Sequence, residues 1–285
     1  IKLAPLTVNT GAVQLGKPIN IKLATQLQAP WFEGELPLQA SATVHSPTSS
    51  TPTWRLQALT LTSDLQKVFQ GLSLPHEPSA LPTTLKGDVS IDLAKKTLQI
   101  NALDGQLAQA QLQGKLTVEF SEGVRLTGDN TLRLPQLRTS LTQLGITRAS
   151  AWQAVNKTVM QQLELATTWQ SDLTQVTLDA LQMSLDKSHA RGRAAITLNK
   201  PFELRTQLKL DRLALDDYLA LGSVFGGKTP AVTDAKRDEA TMLWQQLRAL
   251  RVNADLQVGQ LQLQGVTLED ANLQLVSRNG RLSWR

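Results

Sequence analysis

Apolar and polar residues alternate one for one along most of the chain. Val89, Ile91 and Leu93 are interleaved with Asp88, Ser90 and Asp92. Residues 112–120 repeat that form, with a glycine ahead of Leu116, Val118 and Phe120, and residues 190–198 do so again up to Ile196 and Leu198. A period of two puts successive side chains on opposite faces, so these stretches are predicted strands with one apolar face and one wet face. The same alternation predicts strands at residues 6–8, 13–15, 19–27, 36–44, 54–61, 163–169, 175–181, 183–185 and 202–213. Asn9-Thr10-Gly11 and Gly16-Lys17-Pro18 separate the first of these as turns, and residues 46–52 form a Ser/Thr/Pro loop. The fold class that follows is mainly β, with a mostly antiparallel sheet.

A deeper repetition lies under the alternation. A shift of 78 positions (192 − 114) places Ala102-Leu103 on Ala180-Leu181, Leu107 on Leu185 and Gly114 on Gly192 without a gap. Two distant segments are therefore expected to form hairpins of one length and one register, each added to the same growing sheet. Helical spacing is scarce by contrast. Leu141, Leu144, Trp152, Val155, Val159 and Met160 recur at three and four, predicting a helical insertion over about 140–162 broken at Gly145. Residues 63–69 read as one or two helical turns capped by Ser63 or Asp64. A short helical pattern at Met242, Leu243, Leu247 and Leu250 follows a flexible linker over about 222–240.

One convincing helix and two short ones cannot cover the apolar face of about fourteen predicted strands. That face must either close on itself or on a second sheet, or curl around something else. Composition narrows the occupant. Aromatic residues are 4% of the 285 residues, so the apolar face is largely aliphatic, which suits acyl chains as well as an ordinary β core.

Charge and chemistry remove other classes. The net charge of +5 is scattered and forms no stripe that would track phosphates, so nucleic acid is not an expected partner. No cysteine is present, and His45, His76 and His189 lie in separate segments with no metal-ligand spacing, so neither a metal nor a cofactor is expected. Asp216-Asp217 and Glu269-Asp270 are the paired carboxylates. The first is read as capping the turn after it and the second as bending a hairpin, and no enzyme activity is expected of either.

Residues 204–285 carry a further signal. They contain L-x-L-D-R-L-x-L-D-D-Y-L from Leu208 to Leu219, then L-x-V-G-x-L-x-L-x-G-V-T-L-x-D-x-x-L-x-L from Leu256 to Leu275. This order resembles the AsmA family of Gram-negative bacteria. The resemblance implies a periplasmic protein held to the inner membrane by an N-terminal helix that this fragment lacks, with one long, curved sheet forming an open, taco-like apolar groove. It implies a single elongated unit over 1–285 with a role in outer-membrane biogenesis and in moving phospholipid between membranes. On that expectation the groove is lined by Val89, Ile91, Leu93, Leu116, Val118, Phe120, Ile196, Leu198, Leu208 and Leu210, with acyl chains as the partner. The alternative is a periplasmic scaffold for the outer-membrane assembly machinery, with a closed β core and no bound lipid.

Overall fold

Where two strands are joined by two residues, the turn must twist with the sheet, which requires positive φ. Ala108 and Asp186 supply it at 50° and 53° and close two such hairpins. Through these and longer connections the strands build one sixteen-stranded sheet. A computed structural model describes residues 2–3, 6–14, 17–28, 35–48, 52–70, 74, 76–198, 203–218, 251–278 and 281–284. The linker and helix expected between 222 and 250 lie outside the described residues.

The strands are β1 Lys2–Leu3, β2 Thr7–Thr10, β3 Ile19–Gln28, β4 Leu36–His45, β5 Trp54–Asp64, β6 Pro82–Asp92, β7 Thr97–Leu107 and β8 Ala110–Glu119. They continue as β9 Arg125–Leu134, β10 Leu163–Ser171, β11 Gln175–Leu185, β12 Ser188–Thr197, β13 Glu203–Ala214, β14 Arg251–Leu263, β15 Val266–Arg278 and β16 Arg281–Trp284. From β3 to β13 every neighbour in sequence is an antiparallel neighbour in space. β14 then lies parallel to β13, from Glu203↔Arg251 to Ala214↔Gln262, an arrangement that needs a long connection and has one. β1 and β2 both pair with β3 at one edge, and β16 lies at the other. The two edges are not paired with each other, so the sheet is open and the closed β core is not what the chain forms.

Several expectations are corrected. Residues 13 and 14 are not in a strand. β9, which the alternation did not mark, is present; Gly128, Asp129 and Asn130 interrupt its apolar pattern. Residues 175–185 form one strand rather than two, because a bulge at Ala180 absorbs the spacing of three between Leu178 and Leu181.

The helical elements among the described residues, α1 Gln66–Gln70, α2 Leu137–Gln143, a 3-10 helix Ala149–Ala154 and α3 Leu215–Tyr218, all follow strand ends on the same side of the sheet. Asp64, not Ser63, accepts from the Gln66 N–H that opens α1, at 2.9 Å. The predicted insertion over 140–162 is helical only to Ala154. Gly145 (φ 77°) breaks it as expected, and from Met160 to Gln162 the backbone N–H groups are drawn away from any helix by the Asp186 carboxylate, at 2.6, 2.7 and 3.2 Å.

These pieces interlock as a cap along one rim. His76 and Ser79 N–H donate to the Gly145 and Gln143 carbonyls, and Arg138 donates to the carbonyls of Val159 and Asn156 while lying 5.1 Å over the Trp152 ring. Two small buried clusters form there. Leu36 is packed by Leu65 and Val68, and Trp152, Val155 and Val159 by Leu141, Met160 and Tyr218. The opposite rim, made of the turns at 93–96, 120–124 and 172–174, has no such cover among the described residues.

Candidate functional site: an apolar trough

Directly paired residues on neighbouring strands share a face, so the register can be followed from strand to strand across the sheet. One such row runs Ile19, Val44, Leu56, Val89, Ile100 and Leu116, then Gly128, Trp169, Leu178, Ala194, Thr206, Ala254 and Leu275. Next to it Leu61, Leu85, Gly105, Leu112, Leu132, Leu165, Met183, Ala190, Leu210, Val258 and Ala271 make a second. These rows are the floor of an apolar trough whose long axis crosses the strands.

Bulges bend this floor. Ala58, Ala102 and Ala180 each take φ near 50°, at 53°, 50° and 48°, and each is followed by a leucine. Leu59, Leu103 and Leu181 pair with Gly87, Gly114 and Gly192 on the next strand. The 78-residue shift therefore has a structural content. In β7–β8 the pairing moves between Ile100 and Leu103, and in β11–β12 it moves at the equivalent place, between Leu178 and Leu181. Backbone groups released by the bulges find side chains. The Ala58 N–H donates to Asp88 at 2.8 Å, and the Asp179 carbonyl accepts from Thr167 and Thr168 at 3.0 and 3.1 Å. A bulge bends its strand and deepens the local twist, which curls a long sheet.

Seven of the ten expected lining residues are on the floor: Val89, Ile91, Leu116, Val118, Ile196, Leu208 and Leu210. Val89 is buried at 7% exposure, and the other six remain half-buried. The remaining three are not on it. Leu93 (62% exposed), Phe120 (40%) and Leu198 (40%) come just after their strands end and stand at the tips of turns on the uncapped rim. Alternation continues one residue past the last ladder pair in all three, so periodicity alone could not exclude them.

Sequence reasoning missed the polar break in the floor. Trp169 lies against Gly128 and donates its indole N–H to Asn130 at 2.7 Å, with Thr167 paired opposite Asn130. Period two over residues 163–169 would have placed Thr167 and Trp169 on this face.

Asp216 accepts from the Gln264 and Gly265 N–H groups at 2.7 and 3.2 Å, and Asp217 from the Asn156 amide at 3.1 Å; the end of the turn they were expected to cap lies outside the described residues. The hairpin expected at Glu269-Asp270 turns at Gln264-Gly265 instead, and Asp270 (φ 51°) kinks the middle of β15 without shifting its register. On the wet face His189 meets Asp211 at 3.1 Å with both groups exposed. Among the described residues no group of three or more His, Asp or Glu is placed to hold a metal ion, and no helix is long and apolar enough to cross a membrane.

The chain thus forms an open, mostly antiparallel sheet, capped along one rim, with one face made largely of aliphatic side chains. It matches no family model, no curated protein and no solved structure.

Proposed function

We propose that this chain is an AsmA-like periplasmic protein, anchored to the inner membrane in its full-length form, that shields phospholipid acyl chains in its trough and so serves lipid transport between the membranes and outer-membrane biogenesis. The observation that supports this most is the half-buried state, on one face of the sheet, of Ile91, Leu116 and Val118 before the polar break and of Ile196, Leu208 and Leu210 after it. A fully buried Leu, Ile or Val side chain is worth about 1.5–3 kcal/mol over an exposed one, so half-covered rows leave a large share of that unrealised. An acyl chain laid along the floor would supply about 0.8 kcal/mol per buried methylene without needing any directional partner. From β3 to β15 the floor is about 58 Å long at roughly 4.8 Å per strand step, more than the depth of one bilayer leaflet, and it would take several chains in file.

Native mass spectrometry of protein purified without added lipid tests this directly. Co-purifying phospholipid is expected in the wild-type chain, and Val118→Asp with Ile196→Asp is expected to lose it while keeping the far-UV circular dichroism of a sheet. A wild-type chain that carries no lipid overturns the reading.

A further inference from the structure

Among the described residues, the twelve exposed large hydrophobic side chains fall into three places. Leu6, Val8, Val13 and Leu23 belong to the first edge of the sheet, and Val266 and Leu268 to the last. The other six, Trp54, Leu93, Phe120, Val124, Leu173 and Leu198, all stand at the uncapped ends of strands or in the turns that join them. We infer that this rim is a membrane-contact edge, and that the trough takes up and releases its occupant sideways across it while the rim rests on a phospholipid surface.

The chemistry of the rim favours lipid over a protein partner. Successive turns on one side of an antiparallel meander are two strands, or about 10 Å, apart, so Leu93, Phe120, Leu173 and Leu198 are separate tips rather than one flat patch. Separate apolar tips enter a headgroup layer shallowly and each displaces its own water. Cationic side chains stand beside them. Arg55 follows Trp54, Lys96 closes the turn of Leu93, Arg125 follows Val124, and Arg251 opens β14, all four exposed. Several acids on this rim are engaged locally. Asp92 accepts from the Lys95 N–H and ion-pairs with its ammonium group, Asp172 holds Thr174 and Gln175, and Glu203 pairs with Arg205. Among the described residues the opposite rim is occupied by the interlocked helices and turns and this one is not, so this is the long side from which the described floor can be reached. This inference rests on the reading of the trough as an acyl-chain site.

The test is flotation of the full chain with vesicles of phosphatidylcholine alone and of phosphatidylcholine with phosphatidylglycerol. The wild-type chain is expected to float with both, more strongly with the anionic vesicles. Leu93→Asp with Leu173→Asp and Leu198→Asp is expected to float at least about tenfold less, and Thr117→Asp, on the wet face, to match wild type. Bromine-labelled lipid is expected to quench tryptophan emission, with a smaller quench in Trp54→Phe, which keeps an aromatic ring in place. Native mass spectrometry of the same proteins separates the two readings. Rim variants that keep their lipid but fail to float support the contact edge. A lipid-loaded wild-type chain that does not float, or a triple variant that floats unchanged, overturns it. A rim variant that turns a dimer into a monomer, with no vesicle binding in the wild type, assigns the rim to a second copy and also overturns it.

Discussion

Ala58, Ala102 and Ala180 sit in the left-handed region, where a Cβ costs roughly 1–2 kcal/mol. Each position is answered across the ladder by a glycine, as Ala180-Leu181 is by Gly192. A Cβ added at Gly192 would overlap the Gln207 carbonyl oxygen and approach the Leu208 Cα to 3.0 Å. Both are backbone atoms that cannot rotate away. Gly192→Ala is therefore expected to cost more than about 2 kcal/mol, the scale of backbone-shifting overpacking, seen as a lower midpoint in chemical denaturation. Ala180→Gly is expected to hold or raise that midpoint, because it removes the strain without touching the ladder. The alternation exposed the Ala-Leu and Gly pairs at matching offsets, but not that the alanine was left-handed. Only the ladder on both sides of Ala180 imposes that φ.

Between residue and whole molecule stand the hairpins, and the turn between β10 and β11 shows how one is held. The Asp172 carboxylate accepts from the Thr174 hydroxyl at 2.7 Å and from the N–H groups of Gln175 and Thr174 at 2.8 and 2.9 Å. These bonds, the Thr174 hydroxyl first, draw its pKa from the usual 3.8 down to about 2. A depressed carboxyl pKa means that the unfolded chain takes up the proton first, so the contribution is complete above pH 3.8 and is lost as the pH falls toward 2. Amide protection at Leu173 to Val176 is expected to fall across that window, and Asp172→Asn to flatten the dependence. The helical cap is the element that periodicity misjudged most. Spacings of three and four over 140–162 suit a helix, yet Asp186, more than twenty residues further on in sequence, takes the N–H groups of residues 160–162. No local signal announces an acceptor supplied by a distant hairpin.

At the scale of the molecule the open sheet, the capped rim and the bare rim together define a long half-pipe. Fifteen strands in file span about 65 Å, whereas a compact chain of 285 residues has a radius of gyration near 19 Å. Small-angle scattering is expected to give a clearly larger value and an asymmetric distance distribution. A compact profile would contradict the open sheet. The parallel pairing of β13 and β14 belongs to this scale too, because it turns the last hairpin so that Gln264-Gly265 falls on the capped rim, where Asp216 receives it.

The class of fold was settled by the sequence alone. Alternation over most of the length, few helical stretches and little aromatic bulk required a mainly antiparallel sheet with an aliphatic face too large for its helices to cover. The side to which each strand turns that face was also legible in strands without a bulge, where it depends only on a period of two. Which residues lie on the floor and which on the rim was decided by the tertiary structure. A side chain belongs to the floor only while its backbone is paired on both sides, and the last pair of each ladder is set by turns, bulges and neighbouring strands. For the same reason the two rims could not be told apart from the sequence: the cap is held by hydrogen bonds between segments far apart in the chain, such as His76 with Gly145 and Asn156 with Asp217.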